Sequence, residues 1–141
     1  MSLEEIEEAK AILRRMFPRL REITLTSPED ATYNCLGWAA EDVAHWWDHL
    51  NYWPAKVPRQ WSLAAYCQVY QSLGYEACAT PELEAGFTKV AIFVDHNGLP
   101  THAARQLSDG FWTSKLGRMW DITHRLEEVG GAEGYGEVAQ I

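Results

Sequence analysis

Residues 89–117 read KVAIFVDHNGLPTHAARQLSDGFWTSKLG, and this stretch decides the fold. Its apolar residues are continuous in KVAIFVD and alternate with polar ones further on, which is typical of β-strands. The HNG and SDG segments have the glycine-containing composition of short hairpin loops. The stretch therefore predicts three antiparallel strands, at residues 89–95, 100–107 and 111–117.

Two further segments have strand character. The closing segment YGEVAQI, residues 135–141, predicts a fourth strand, and YEACA, residues 75–79, is short enough for an added edge strand. The sheet is therefore expected to contain about four strands.

The predicted helices precede this sheet. Residues 3–17 carry apolar side chains at helical spacing behind Ser2 and Glu5, which can form a capping box. A second helix is expected from about 34 to 49 and a third near 60–73. The tryptophan- and proline-rich stretch at 45–61 is expected to be an ordered loop, which we call the aromatic loop. Helices first and strands later predict an α+β fold, with the N-terminal helices packed on one face of the antiparallel sheet.

Composition limits the functional classes. The chain has 141 residues and 47% hydrophobic content, which fits a single domain over residues 1–141. The formal net charge is -8 and no Lys/Arg cluster offsets it, so neither nucleic acid nor an anionic membrane is an expected partner. The N-terminus resembles neither a signal peptide nor a membrane span. A cytoplasmic location is therefore expected, unless a specialised export route applies.

Cys35 is the first candidate for chemistry. If Asn34 is the N-cap, Cys35 is the first helical residue, where the helix dipole and free N–H groups favour thiolate and lower the pKa of the thiol. The same amides can stabilise an oxyanion. The alternative is a small buried hydrophobe, which is the expected role of Cys67 and Cys78.

His102 is the candidate base, because it alone of the five histidines begins a predicted strand. Alternation places it on one face with Ala104 and Gln106, where two alanines leave room for the helix end that carries Cys35. Pairing across the SDG loop sets Ala104 opposite Ser114, diagonal to His102, whereas a one-residue slip would substitute a neighbour of Ser114. Asp121 is an alternative orienting group.

These residues resemble the papain-like cysteine hydrolase superfamily, especially its NlpC-type and CHAP-type amidases. In that pattern an Asp-Cys-x-Gly-aromatic helix start supplies the nucleophile, a later strand opens with a histidine, and a polar residue follows on the next strand. Residues 34–38 match the first element with Asn in place of Asp, and His102 and Ser114 match the others. The resemblance covers about residues 33–118 and implies a papain-like fold. The whole chain also resembles a family of small bacterial proteins to which no activity is assigned.

Several other residues are candidates for binding. The aromatic loop could line a groove for peptide or sugar, or could support itself as core. Lys115 could assist an oxyanion or bind a carboxylate. His45, Asp48 and His49 have helical spacing that could grip a metal, but no third ligand is obvious, so no metal and no cofactor are expected. The predicted substrate-binding residues are Asn34, Trp38, Trp46, Trp47, Trp53 and Lys115.

Two functions follow from these observations. The first is a papain-like thiol hydrolase, an amidase or peptidase, in which Cys35 attacks a peptide, amide or acyl substrate, His102 transfers the proton and Ser114 holds the imidazole. The alternative is a non-catalytic acidic interaction protein, like an inhibitor or immunity protein, that covers a protein partner with its tryptophan-rich loop.

Overall fold

The computed structural model describes residues 1–141 and has an α+β architecture with one antiparallel sheet. A single turn of 3-10 helix, Leu126–Val129, precedes the last strand. The other elements are α1 (Leu3–Met16), β1 (Thr24–Ser27), α2 (Cys35–Ala39), α3 (Leu63–Ser72), β2 (Val90–Val94), β3 (Pro100–Gln106), β4 (Trp112–Lys115), β5 (Asp121–His124) and β6 (Glu137–Gln140).

The sheet has six strands in the order β1-β5-β4-β3-β2-β6, so the expected number of four is too low. The strands predicted from residues 89–117 and the closing strand are present. The sequence analysis missed β1 and β5, two four-residue strands that pair with each other. Residues 75–79 form no strand, contrary to expectation, although the backbone N–H of Cys78 donates to the carbonyl of Ile141 at 2.8 Å.

The predicted register between β3 and β4 is confirmed. Arg105 lies opposite Thr113 and Gln106 opposite Trp112, which is the alignment that sets Ala104 across from Ser114. The paired part of this ladder ends at Arg105, so the first half of β3 runs on without a backbone partner on β4. His102 and Ala103 both lie in that unpaired part.

The helices lie on both faces of the sheet, and the expectation of one face is wrong. Ala91 and Phe93 of β2 point into a core with α1, whereas Val90 and Ile92 point into a core with α2 and α3. Successive residues of a strand face opposite ways, so these two cores lie on opposite faces. We call the first face the α1 side and the second the α2 side.

The long helices form as their caps predict. Ser2 and Glu5 make both bonds of the capping box at the start of α1, which ends at Met16 instead of Phe17. The hydroxyl of Ser62 caps α3, which is shorter than the expected 60–73. No helix of the structure is long and apolar enough to cross a membrane.

The second helix is only five residues long, in contrast to the expected span of 34–49. Glu41 has a φ of 62°, a left-handed conformation that stops the helix just after its cap at Ala40. The chain then folds back over Gly37, where an added Cβ would lie 2.9 Å from the carbonyl oxygen of His45 and 3.0 Å from that of Asp42. Gly37 therefore permits the close approach of its own loop.

Candidate functional site

Asn34 fixes the start of α2 and also ties it to the aromatic loop. Its Oδ1 accepts from the N–H of Gly37 at 3.2 Å, as an N-cap does, and from the N–H of Trp47 at 3.0 Å. Its Nδ2 donates to the carbonyl of Trp47 at 2.6 Å. Only an amide offers both an acceptor and a donor here, which is a physical reason for Asn where the papain-like pattern has Asp. Asn34 is therefore a structural anchor, with its side chain engaged by the protein itself.

Cys35 is the first residue of α2, as predicted, and keeps part of its surface in solvent. Its pKa differs from the expectation. Burial of the sulfur raises the pKa of Cys35, and it outweighs the backbone N–H groups of Ala103 and Leu36, which favour the thiolate. The resting residue is therefore a thiol at neutral pH, and the predicted lowering of its pKa is wrong. A five-residue helix does not offset the loss of water around the sulfur.

The predicted contact between His102 and Ser114 is present. His102 Nε2 lies 2.8 Å from Ser114 Oγ, and both residues are buried. The ring of Tyr135 stacks on the imidazole with a centroid distance of 3.9 Å and an interplanar angle of 1°. The other ring nitrogen, Nδ1, is buried without a hydrogen-bond partner. Burial lowers the pKa of His102 well below its ordinary value, so the imidazole is neutral.

His124, which the sequence analysis left unassigned, belongs to the same group. Its Nε2 lies 2.6 Å from Ser114 Oγ, and its Nδ1 lies 2.7 Å from the carbonyl oxygen of Arg125. The residue ends β5, the strand that the sequence analysis missed. A strand assignment for DITH would have shown it, since the pairing of β4 with β5 places His124 opposite Trp112, two residue pairs along from Ser114 and on the same face.

Cys35 and His102 approach the sheet from different sides. Phe93, the ladder partner of His102, belongs to the α1-side core, whereas α2 packs over Ala103. The expectation that α2 covers the His102 face is therefore wrong. The N–H of Ala103, the next residue in the chain, is nevertheless one of the groups that favour a thiolate on Cys35, and a charge on the sulfur helps raise the pKa of the Tyr135 phenol that stacks on His102. The sulfur makes no hydrogen bond to the ring.

The tryptophans predicted to bind substrate divide into two groups. Trp47 and Trp53 are 5% and 6% exposed and form part of the α2-side core, so they support the loop. Trp38 and Trp46 are half-buried. The indole N–H of Trp38 donates to Thr113 Oγ1 at 2.9 Å, and Trp46 lies under the guanidinium of Arg118.

Lys115 lies inside the protein, although the sequence suggested a role in binding substrate. Its ammonium donates to the carbonyl oxygens of Asp30 at 2.6 Å and Gly117 at 2.5 Å, and burial lowers its pKa. Asp121, the alternative partner for His102, instead accepts from the hydroxyls of Tyr33 and Thr26 on the α2 side. Both side chains are therefore engaged in holding the N-terminal segment to the sheet.

The metal-like spacing in the aromatic loop does not assemble a ligand set. His45 Nδ1 contacts Asp42 at 2.8 Å and its ring stacks on Tyr52, whereas His49 Nδ1 lies 3.3 Å from the hydroxyl of Tyr66. No group of three or more His, Cys, Asp or Glu side chains in the structure is arranged to hold a metal ion.

One cavity lies away from these residues. It has a volume of about 620 Å³ and is bounded by the end of α3, the segment after it and the edge of the sheet. Cys67 and Cys78 contribute to its wall, but Cys35, His102 and Ser114 do not. This cavity thus marks a different place from the titratable side chains around Ser114.

Comparison with known proteins assigns a family to the chain. No curated protein and no solved structure matches it. A family model described as a domain of unknown function, DUF7689, matches residues 24–141, from β1 to the last residue. The matched part contains every strand of the sheet together with Cys35, His102, Ser114 and His124. The chain belongs to the DUF7689 family.

Proposed function

We propose that the protein is a thiol hydrolase of papain-like chemistry, an amidase or peptidase, with Cys35 as nucleophile and His102 as base. The observation that carries this proposal is the bare Nδ1 of His102. Burying a polar atom without a hydrogen-bond partner destabilises a protein by about 1–3 kcal/mol. The unpartnered Nδ1 therefore needs an explanation, since the other nitrogen of the same ring is hydrogen-bonded. A base that must accept a proton in the reaction is such a reason.

The reaction starts from a neutral thiol on Cys35 and a neutral imidazole on His102. Cys35 and His102 lie on different sides of the sheet, so the reaction requires a movement that brings the S–H of Cys35 to Nδ1. The S–H bond then breaks, and the proton passes to His102 as sulfur attacks the substrate carbonyl carbon. Nδ1–H then protonates the leaving amine as the C–N bond breaks. Water attacks the thioester and gives a proton to Nδ1, and the C–S bond breaks as that proton passes to sulfur, which releases the carboxylic acid and returns the thiol. The N–H groups of Ala103 and Leu36 stabilise the thiolate as it forms.

Acetylation by p-nitrophenyl acetate tests this proposal. We expect a thioester on Cys35, located by mass spectrometry of peptides, that Cys35→Ser abolishes. Formation of this thioester should slow by about 10²-fold or more in His102→Gln, because general-base catalysis contributes that much. Cys67→Ser is the matched control and should leave the rate unchanged. Acetylation spread evenly over the three cysteines, or insensitive to His102→Gln, would contradict the proposal.

One observation favours the alternative, an acidic interaction protein. Large apolar side chains of the aromatic loop are exposed, with Leu50 at 79%, Trp61 at 49% and Tyr52 at 45%, and such residues are typical of interfaces. The buried Trp47 and Trp53 would then be the support of that surface. An interaction protein of this kind forms no acetyl-Cys35, so the same assay separates the two functions.

A further inference from the structure

His124 and His102 are joined through one hydroxyl. Ser114 Oγ lies 2.8 Å from His102 Nε2 and 2.6 Å from His124 Nε2. The other ring nitrogen of His124, Nδ1, contacts only the carbonyl oxygen of Arg125, at 2.7 Å. Both histidines and the serine are 3% exposed or less, so no bulk water competes for these bonds.

The protons in this group can be placed by elimination, starting from the carbonyl. A carbonyl oxygen only accepts, so His124 Nδ1 carries a proton and donates it to Arg125. A neutral imidazole has one N–H, so His124 Nε2 is an acceptor and must receive the Ser114 hydroxyl proton. The Ser114 oxygen is then left as the acceptor for His102 Nε2–H. His102 therefore carries its proton on Nε2, and its Nδ1 has a free lone pair.

These proton positions hold when the rings of His102 and His124 are both neutral. Burial lowers the pKa of His124 as it does that of His102, and the nearby carboxylates of Glu127 and Glu128 only partly offset it. A charge on one ring also opposes a charge on the other.

We propose that His124 is a positioning residue for the base, which acts through Ser114 to hold His102 in the tautomer that leaves Nδ1 free. This inference rests on the proposed function for its catalytic meaning. Ser114 alone cannot select the tautomer, because a hydroxyl can donate to His102 Nε2 as readily as accept from it. With His124 present, the Ser114 hydroxyl already donates its proton to His124 Nε2, so its oxygen can only accept from His102.

The test reads the tautomer directly, by the ¹⁵N chemical shifts of the His102 ring at pH 7.5. In the unchanged protein we expect Nε2 protonated and Nδ1 unprotonated. In His124→Phe, which removes the acceptor at similar volume, we expect a shift toward Nδ1–H. His124→Gln offers a carbonyl oxygen to Ser114 and should restore the original pattern. His96→Gln, in an exposed hairpin loop, is the matched control and should change nothing.

Acetylation of Cys35 provides the second readout. We expect its rate to fall by about tenfold or more in His124→Phe and to recover in His124→Gln, since a base with its lone pair occupied cannot accept a proton. Where His124→Phe does not fold, the smaller His124→Leu removes the same acceptor and should give the same tautomer change.

The two proposals fail in different ways. An Nδ1–H ring in the unchanged protein, or a tautomer that stays the same in folded His124→Phe or His124→Leu, overturns the role of His124, even if Cys35 is acetylated. A tautomer that shifts as expected in a protein that never acetylates Cys35 supports the role of His124 in holding His102 and overturns the hydrolase.

Discussion

Both faces of the sheet bury polar side chains, but the α2 side pairs them in hydrogen bonds more completely than the α1 side does. On the α2 side, the Lys115 ammonium and the Asp121 carboxylate are bonded to the N-terminal segment. On the α1 side lie all three buried side-chain polar atoms without a partner, which belong to His102, Gln106 and Trp120. A fully bonded network is typical of a structural role, whereas an unpartnered atom needs an explanation. Of the three, only the His102 atom belongs to a titratable group.

The largest expected effect is on the α2 side, where the polar network holds the fold. Asp121→Ala leaves the hydroxyls of Tyr33 and Thr26 and the buried Lys115 ammonium without their acidic neighbour. We expect a loss of more than about 3 kcal/mol in the free energy of unfolding, measured by urea denaturation, because the buried Tyr33 hydroxyl loses its acceptor and the buried Lys115 ammonium loses one of the carboxylates that favour its charge. Tyr33→Phe, which removes one hydroxyl only, should cost about 1 kcal/mol. Equal losses would mean that the carboxylate acts only as one hydrogen-bond acceptor.

Breaking the network on the α1 side should cost less. Ser114→Ala leaves His102 Nε2 and His124 Nε2 facing a methyl group, and both are neutral. We expect a loss of about 3 kcal/mol at most, since each unsatisfied neutral group costs about 1–3 kcal/mol and the two rings can shift toward each other. Ser108→Ala in the exposed SDG loop is the control and should stay within about 0.5 kcal/mol of the unchanged protein. A loss as large as that of Asp121→Ala would remove the contrast between the faces.

The α1 side also shows how much the sequence could predict. Alternation and a glycine-containing loop fixed the register of β3 and β4, and with it the contact between His102 and Ser114. These are local signals, carried by neighbouring residues. His124 was out of reach of such signals because β5 is a four-residue strand, DITH, with only one strongly apolar residue. Its burial comes from pairing with two other strands, which no local pattern records.

The α2 side was predicted less well for a similar reason. The apolar run after Cys35 favours a long helix, but its continuation is prevented by the bonds between Asn34 and Trp47 and by the loop that crosses Gly37. Those contacts form only when the chain turns back at Glu41. The N-cap could be predicted from the sequence, since capping is local, whereas the second use of the Asn34 amide could not.

The hydrogen bond from the Asn34 amide to the Trp47 carbonyl can be removed separately from the N-cap by Asn34→Asp. The carboxylate keeps the N-cap acceptor for Gly37, but it cannot donate to the Trp47 carbonyl and places a negative charge 2.6 Å from it. We expect a loss of about 2 kcal/mol in the free energy of unfolding, from one buried carbonyl left unbonded. Ser2→Asp changes another N-cap, whose side chain makes only capping contacts, and should alter stability by less than about 0.5 kcal/mol. If both variants behave alike, the link to the aromatic loop contributes nothing to stability.

The smallest effect concerns pH and again separates the faces. Since burial depresses the pKa of His102 and His124 in the folded state, the unfolded chain binds more protons below a pH of about 6.5, and stability falls as pH falls. Between pH 7.5 and 5.5, a histidine that stays neutral in the folded state removes at most about 1.4 kcal/mol from the free energy of unfolding, measured by urea titration at both pH values. His124→Phe should therefore lose less stability over this interval than the unchanged protein, by up to about 1.4 kcal/mol. His96→Phe, on an exposed loop, should show the full loss. If His124→Phe instead loses stability as steeply as the unchanged protein, folding does not lower the pKa of His124, and burial does not hold its ring neutral.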